Sequence, residues 1–241
     1  MRELARGASD VTKGIAVLRE HPDLWKWLLA PAALSLTILV ALIALIVHFI
    51  DPLVGSVVDH LPHVLATLAG SLLTVLVVAL MAAGGLLVFV ALAGVVSGPF
   101  NEMLSERIEA RLRGHAVPAF VLRQFIREAA IGVAHGIWRL FVAVIATLVV
   151  FALGIVPGVG TIAALVLGFW FASRAAAYDC YDAVLARRGM AYRAKLEYLA
   201  DHRARTFGLG ATVTAMLFVP GLNLIALGLG AAGATTAMLD E

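Results

Sequence analysis

The sequence predicts an all-α integral membrane protein: two long transmembrane helices, two partly penetrating helical hairpins broken at Pro-Gly, and cytoplasmic or interfacial helices, all in one membrane domain over residues 1–241. Three observations lead there. Of the 241 residues, 62% are hydrophobic and only 14% charged, whereas soluble domains run near ~45–50% apolar and ~25% charged. Stretches 27–50, 60–101, 140–173 and 206–239 hold no Asp, Glu, Lys or Arg, and each is long enough as helix for ~30 Å of hydrocarbon. All 18 Lys and Arg fall within 1–26, 107–139 and 174–205. This composition excludes nuclease, kinase and secreted-scaffold classes, and no nucleic-acid partner is expected. The single Cys180 permits no intrachain disulfide and reads as a small buried hydrophobe.

The N-terminal segment, 1–26, bears Arg2, Arg6, Lys13, Arg19 and Lys26 without a short apolar core before a cleavage site, so a retained segment is expected rather than a cleaved signal. Within it, residues 11–20 put Val11, Ile15 and Leu18 on one helical face, suited to the membrane surface or to a solvated helix. The first span, 27–50, opens at Trp25 and Trp27 as interfacial anchors and closes at Asp51-Pro52. For the second, Gly84-Gly85 could form a turn, but the basic block after it would then lie outside. The connection 51–63 has Asp51 and Asp59 and no Lys or Arg, so the positive-inside rule makes it external and the three basic blocks cytoplasmic. Residues 64–97 are therefore read as one long, tilted span ending at Gly98-Pro99. Cytoplasmic helices follow over 100–139, with Asn101 as N-cap and Glu102, Glu106 and Glu109 on one face answered by Arg107 and Arg111.

Residues 140–173 have basic residues on both sides and must enter and leave by one face, which makes them a hairpin broken at Val156-Pro157-Gly158-Val159-Gly160. Residues 174–206 are cytoplasmic. A second hairpin, 207–238, breaks at Val219-Pro220-Gly221-Leu222-Asn223; its first arm is ~12 residues, or ~18 Å of helix, too short to cross. Aligned without gaps, 155–163 and 218–226 are identical at five of nine positions, consistent with a repeated helix–Pro-Gly–helix unit. Each apex begins a helix in mid-membrane, whose free N–H groups and dipole favour an anion. Beside the apices, Thr161 and Asn223 could donate to that anion or cap the next helix. No Lys, Arg, Asp or Glu lies in the apolar stretches, so nothing there resembles a proton relay or a voltage sensor. No enzyme signature occurs. His60 and His63 flank Pro62 beside Asp59, a spacing open to a metal ion but ordinary in a polar loop; neither metal nor cofactor is expected.

The motifs also carry a resemblance. Residues 91–109, with Val-Val-Ser-Gly98-Pro99-Phe100-Asn101-Glu102, then Val156 to Gly160, Tyr178-Asp179 before Arg187-Arg188-Gly189-Met190, Phe207-Gly208-Leu209-Gly210 before Val219 to Leu224, and Ala232-Gly233-Ala234-Thr235 resemble, in order, the CysZ family of bacterial sulfate permeases, with its etoposide-induced-protein-like membrane domain. The resemblance covers about residues 12–238. It implies a bundle of two long transmembrane helices and two pairs of half-penetrating helices in a multi-pass inner-membrane protein. It also implies dimer-based homo-oligomers and sulfate uptake for cysteine synthesis. The family's anion site is a Pro-Gly-Leu-Arg-Arg-like segment just before the first long helix, matched here by Pro22-Asp23-Leu24-Trp25-Lys26. The resemblance thus assigns anion contacts to Leu24, Trp25 and Lys26, although Lys26 lacks the guanidinium fork and Asp23 stands where glycine is expected. A carboxylate ~5 Å from a dianion opposes it by several kcal/mol at an effective ε of ~20. The expected function is passage of sulfate or a related oxyanion towards the cytoplasm; the alternative is a non-transporting scaffold whose basic blocks hold lipid head groups or protein partners.

Overall fold

The computed structural model describes residues 1–58, 63–116 and 121–240, and every regular element among them is a helix. In order these are α1 (Arg2–Glu20), a 3₁₀ turn (Pro22–Leu24), α2 (Trp25–Val58), α3 (His63–Leu112), α4 (Leu122–Gly154), α5 (Val159–Leu185), α6 (Tyr192–Asp201), α7 (Arg203–Leu217), a second 3₁₀ turn (Leu222–Leu224) and α8 (Ala226–Leu239). The all-α class expected from composition is observed. Asp59 and His60, considered above for a metal, lie outside the described residues. Two compact units form, residues 33–96 and residues 1–32 with 97–241.

The 33–96 unit holds the later part of α2 and the earlier part of α3. Val40, Ile43, Leu45, Val47, Leu72, Val75 and Leu80 are all exposed there. Such a surface is stable only where the surrounding medium is itself apolar. Among the described residues, Pro22–Ile50 and Val159–Leu185 are long and apolar enough to cross a membrane. Only 6% of the most apolar window of the first is buried, the reverse of a core helix in a soluble protein. Instead of closing at Asp51-Pro52, α2 runs on to Val58. Pro52 removes one amide donor, and the surrounding i→i−4 bonds carry the helix past it.

In the other unit, α1, α5, α7, α8 and the last turns of α3 share a core that includes Leu18, Leu104, Ile108, Tyr181, Leu185 and Leu209, all at most 1% exposed. The apolar face of α1 does not look towards lipid or water, as the sequence reading had it. Val11, Val17 and Leu18 are buried, and small residues bring α1 against the backbones of α7 and α8. A Cβ on Gly7 would strike the Arg205 carbonyl, one on Gly208 the Leu4 carbonyl, and one on Gly233 the Asp10 carbonyl. Close backbone approach through small residues is how helices gain packing where burial from water offers little.

Two expectations for α3 and α5 are corrected. Gly98-Pro99 does not end α3, and Asn101 is not an N-cap: the helix continues to Leu112 with Pro99 inside it. Pro99 is buried, and Asn101, Leu104, Ser105 and Ile108 form a buried face that fixes the turns after it, so one missing amide donor does not stop the helix. Nor does the helix following Gly158 end near residue 173. It continues to Leu185 because Ser173, Ala176, Ala177, Cys180, Tyr181 and Val184 are buried in the core. Its first half packs back on α4, with Gly168 against Val150 and Gly154 against Ala164. Gly158 and Gly221 make the reversals with φ of 79° and 83°, a backbone region that glycine enters without steric penalty.

Candidate anion site

The start of α2 is built on a rigid base. Pro22 presets the first φ of the 3₁₀ turn, and Leu24 is only 1% exposed, an apolar peg in the core. The Trp25 indole donates from Nε1 to the Leu18 carbonyl at 2.9 Å and packs against the core, so it ties α2 to α1 rather than facing a ligand. Of the three positions assigned to the anion by resemblance, Lys26 alone reaches outward. Its ammonium lies 5.8 Å from the centre of the Trp27 ring.

Two arginines from α3 complete the arrangement. The Arg107 guanidinium lies 4.1 Å from the Trp27 ring centre, and Phe100 packs against the same indole with ring centres 6.4 Å apart. Arg107 Nε is buried without a hydrogen-bond partner. Burial lowers the pKa of this guanidinium, opposed by the nearby Glu106 and Asp23 charges, yet an arginine remains ionised. One helical turn further, Arg111 pairs through Nη2 with Asp23 Oδ2 at 2.9 Å. Both partners are nearly half exposed, and pairs of that kind contribute only ~0–1 kcal/mol. Lys26 and Arg107 thus share the Trp27 ring, with the Arg111–Asp23 pair one turn further along α3 and Glu106 as a second carboxylate near Arg107.

Arg187 and Arg205 of the same unit are each paired with a carboxylate. Arg187 reaches Glu109 at 3.0 Å and donates to Ser105 Oγ at 2.8 Å, while Thr235 donates to that same Oγ at 2.7 Å. This chain fastens α3 to the turn that follows α5 and to α8. Arg205 makes two hydrogen bonds to the fully buried Asp10, at 2.7 and 3.2 Å. Their charges are spent on structure, which sets the α2 cluster apart.

The motif at Gly98, Pro99, Phe100, Asn101 and Glu102 lies in α3 just before Arg107: Phe100 supports Trp27, and Asn101 is buried towards Gly228 of α8. At the hairpin turns, Pro157, Gly158, Thr161, Pro220, Gly221 and Asn223 are exposed, while Gly160 is buried against Leu153 and Val156. Neither Thr161 nor Asn223 caps a helix; α5 and α8 begin without a side-chain cap. What sequence reasoning missed is Arg107 and Arg111, which it spent on glutamates of their own helix. Their i, i+4 spacing was visible, but not that Trp27 and Asp23 would meet them.

Residues 10–227 match the family described as sulfate transporter CysZ/etoposide-induced protein 2.4. The sulfate transporter CysZ of Pseudomonas fluorescens (strain Pf0-1) is 30% identical over 243 residues, covering 96% of this chain and 94% of its own. That of Pseudomonas aeruginosa strain PAO1 is 28% identical over 229 residues, covering 92% and 89%. The Pectobacterium atrosepticum protein of the same name is 24% identical over 188 residues, covering 78% and 68%. These relatives bear the name of a transporter and not of an enzyme. With its motifs in order, its all-helical build and a match over nearly its whole length, the chain belongs to the sulfate transporter CysZ/etoposide-induced protein 2.4 family.

Proposed function

We propose that this protein passes sulfate or a related oxyanion across the bacterial inner membrane towards the cytoplasm, supplying sulfur assimilation. The observation that carries the reading is Arg107, held on the Trp27 ring with Nε buried and unpartnered. A buried donor without a partner is unfavourable until an acceptor arrives, and an oxyanion offers several. Lys26 and Arg111 add charge to that acceptor's site. The relatives named as sulfate transporters support the substrate class, and the exposed apolar helices support a membrane location. In this reading the N-terminus is cytoplasmic, the α4–α5 and α7–α8 pairs enter the bilayer part-way from that side, lipids surround the apolar faces and a dimer-based homo-oligomer is the working unit.

Radiolabelled sulfate uptake into proteoliposomes tests it. Uptake above that of protein-free vesicles is expected, falling at least tenfold in Arg107→Ala. Uptake equal to that of empty vesicles overturns the transport reading and leaves the scaffold.

A further inference from the structure

We infer that Arg174, laid over the exposed ring of Trp170 on α5, binds the phosphate of an anionic phospholipid at the edge of the bilayer. The guanidinium carbon stands 5.1 Å from the indole centre. Arg174 follows Trp170 by one helical turn, so the two side chains share a face of α5, and both are exposed. Phe171 meets the same indole edge-on, with ring centres 4.9 Å apart. The helix changes character here. No charged residue lies on α5 before Arg174, and Ile162 and Val166, one and two turns ahead of Trp170, are exposed. After it, Ser173, Ala176 and Cys180 turn into the protein core. Aromatic rings with a cation one turn beyond them mark a membrane–water boundary, the rings at head-group level and the guanidinium reaching towards the phosphates.

The neighbouring arm agrees in height. Val150 of α4 packs at Gly168 and Ala164 at Gly154, an antiparallel register that sets the exposed Leu148 and Val144 level with Trp170 and Arg174. On α5, Ile162, Val166 and Trp170 recur every fourth residue, a ridge along the helix that leads to Arg174. An acyl chain lying on this ridge brings its phosphate to the guanidinium. Arg111, Arg187 and Arg205 each meet a carboxylate, whereas no carboxylate among the described residues pairs with Arg174. The indole offers its face to the cation but supplies no counter-charge. A phosphodiester does, and a guanidinium takes it bidentately. A lipid with a net negative head group fits better than a zwitterionic one, which brings its own ammonium to the phosphate. Free phosphate would meet the same guanidinium but gains nothing from the apolar ridge.

Native mass spectrometry of the full-length protein in detergent, titrated with phosphatidylglycerol and with phosphatidylcholine of the same acyl chains, tests this. The wild type is expected to retain phosphatidylglycerol about fivefold more than phosphatidylcholine, the scale of one basic residue at an anionic surface. Arg174→Ala and Arg174→Gln should remove most of that preference, and Arg174→Lys should keep more of it. Trp170→Leu should weaken retention although the charge stays in place. Arg193→Ala, on the exposed side of α6, should change nothing. Since Trp170 and Arg174 are exposed, helix content by circular dichroism should match the wild type in every variant, which separates lost lipid from lost fold. Equal retention of the two lipids by the wild type overturns the site, as does an unchanged preference in both Arg174→Ala and Arg174→Gln. Displacement of the bound lipid by inorganic phosphate overturns the lipid reading in favour of a free oxyanion at the same guanidinium.

Discussion

Asp10 shows how one residue can hold helices far apart in sequence together. It is fully buried in α1, and Arg205 of α7 makes two hydrogen bonds to it. Burying such a pair is no guarantee of net stability, but removing one partner leaves an uncompensated charge and costs about 3–5 kcal/mol. Asp10→Ala should therefore lower the melting temperature of the detergent-solubilised protein strongly, while Arg6→Ala, whose pair with Glu3 is exposed, should leave it nearly unchanged. Lys13 adds a pH dependence. The Asp240 carboxylate, accepting from its ammonium at 2.6 Å, raises the Lys13 pKa. A raised folded-state pKa gives stability that is complete below the unfolded value of about 10.4 and is lost as pH rises through the folded one. Melting curves from pH 7 to 11 should show the wild type losing a small advantage over Asp240→Asn only above about pH 10.4.

Among the elements, the helix reversals depend on Gly158 and Gly221, whose positive φ is combined with open space around any added Cβ. A Cβ at either position meets nothing within 4 Å, so the penalty for valine comes chiefly from backbone strain, of order 1–3 kcal/mol. Gly233 contrasts with both: its φ is ordinary, but a side chain there meets the backbone of α1 at Asp10 and Val11. Gly233→Leu is accordingly expected to disturb α1–α8 packing more than Gly158→Val. Thermal melting of the three variants checks the order, and a mildest effect at Gly233 would show that α1 can give way.

For the whole molecule, orientation follows from charge placed along the chain. Cysteine at Ser56 should react with an impermeant thiol reagent applied from outside, and cysteine at Ala116 should not. Equal labelling would mean dual insertion, and the opposite pattern would invert the topology. The helical class was legible because 62% hydrophobic residues in long uncharged stretches leave the backbone of a membrane segment no solvent to bond, and helices satisfy it internally. The extents of α2, α3 and α5 were less legible. Asp51-Pro52 and Gly98-Pro99 are local stop signals, and both were overridden where the remaining backbone bonds or buried neighbours supported the next turn.

By itself, then, the sequence determined the helical class, the positions of the apolar stretches, the two glycine reversals and the family, since each follows from composition or from residues adjacent in the chain. Only the tertiary structure decided which cations are available. Arg107, Arg111, Arg187 and Arg205 are alike in sequence, yet Arg205 closes on Asp10 and Arg187 on Glu109, while Arg107 rests on Trp27 and Arg111 meets Asp23. Their fates depend on which helix packs opposite. Charge neutralisation acts through space over a few ångströms, and spacing along one helix records only the neighbours three or four residues away.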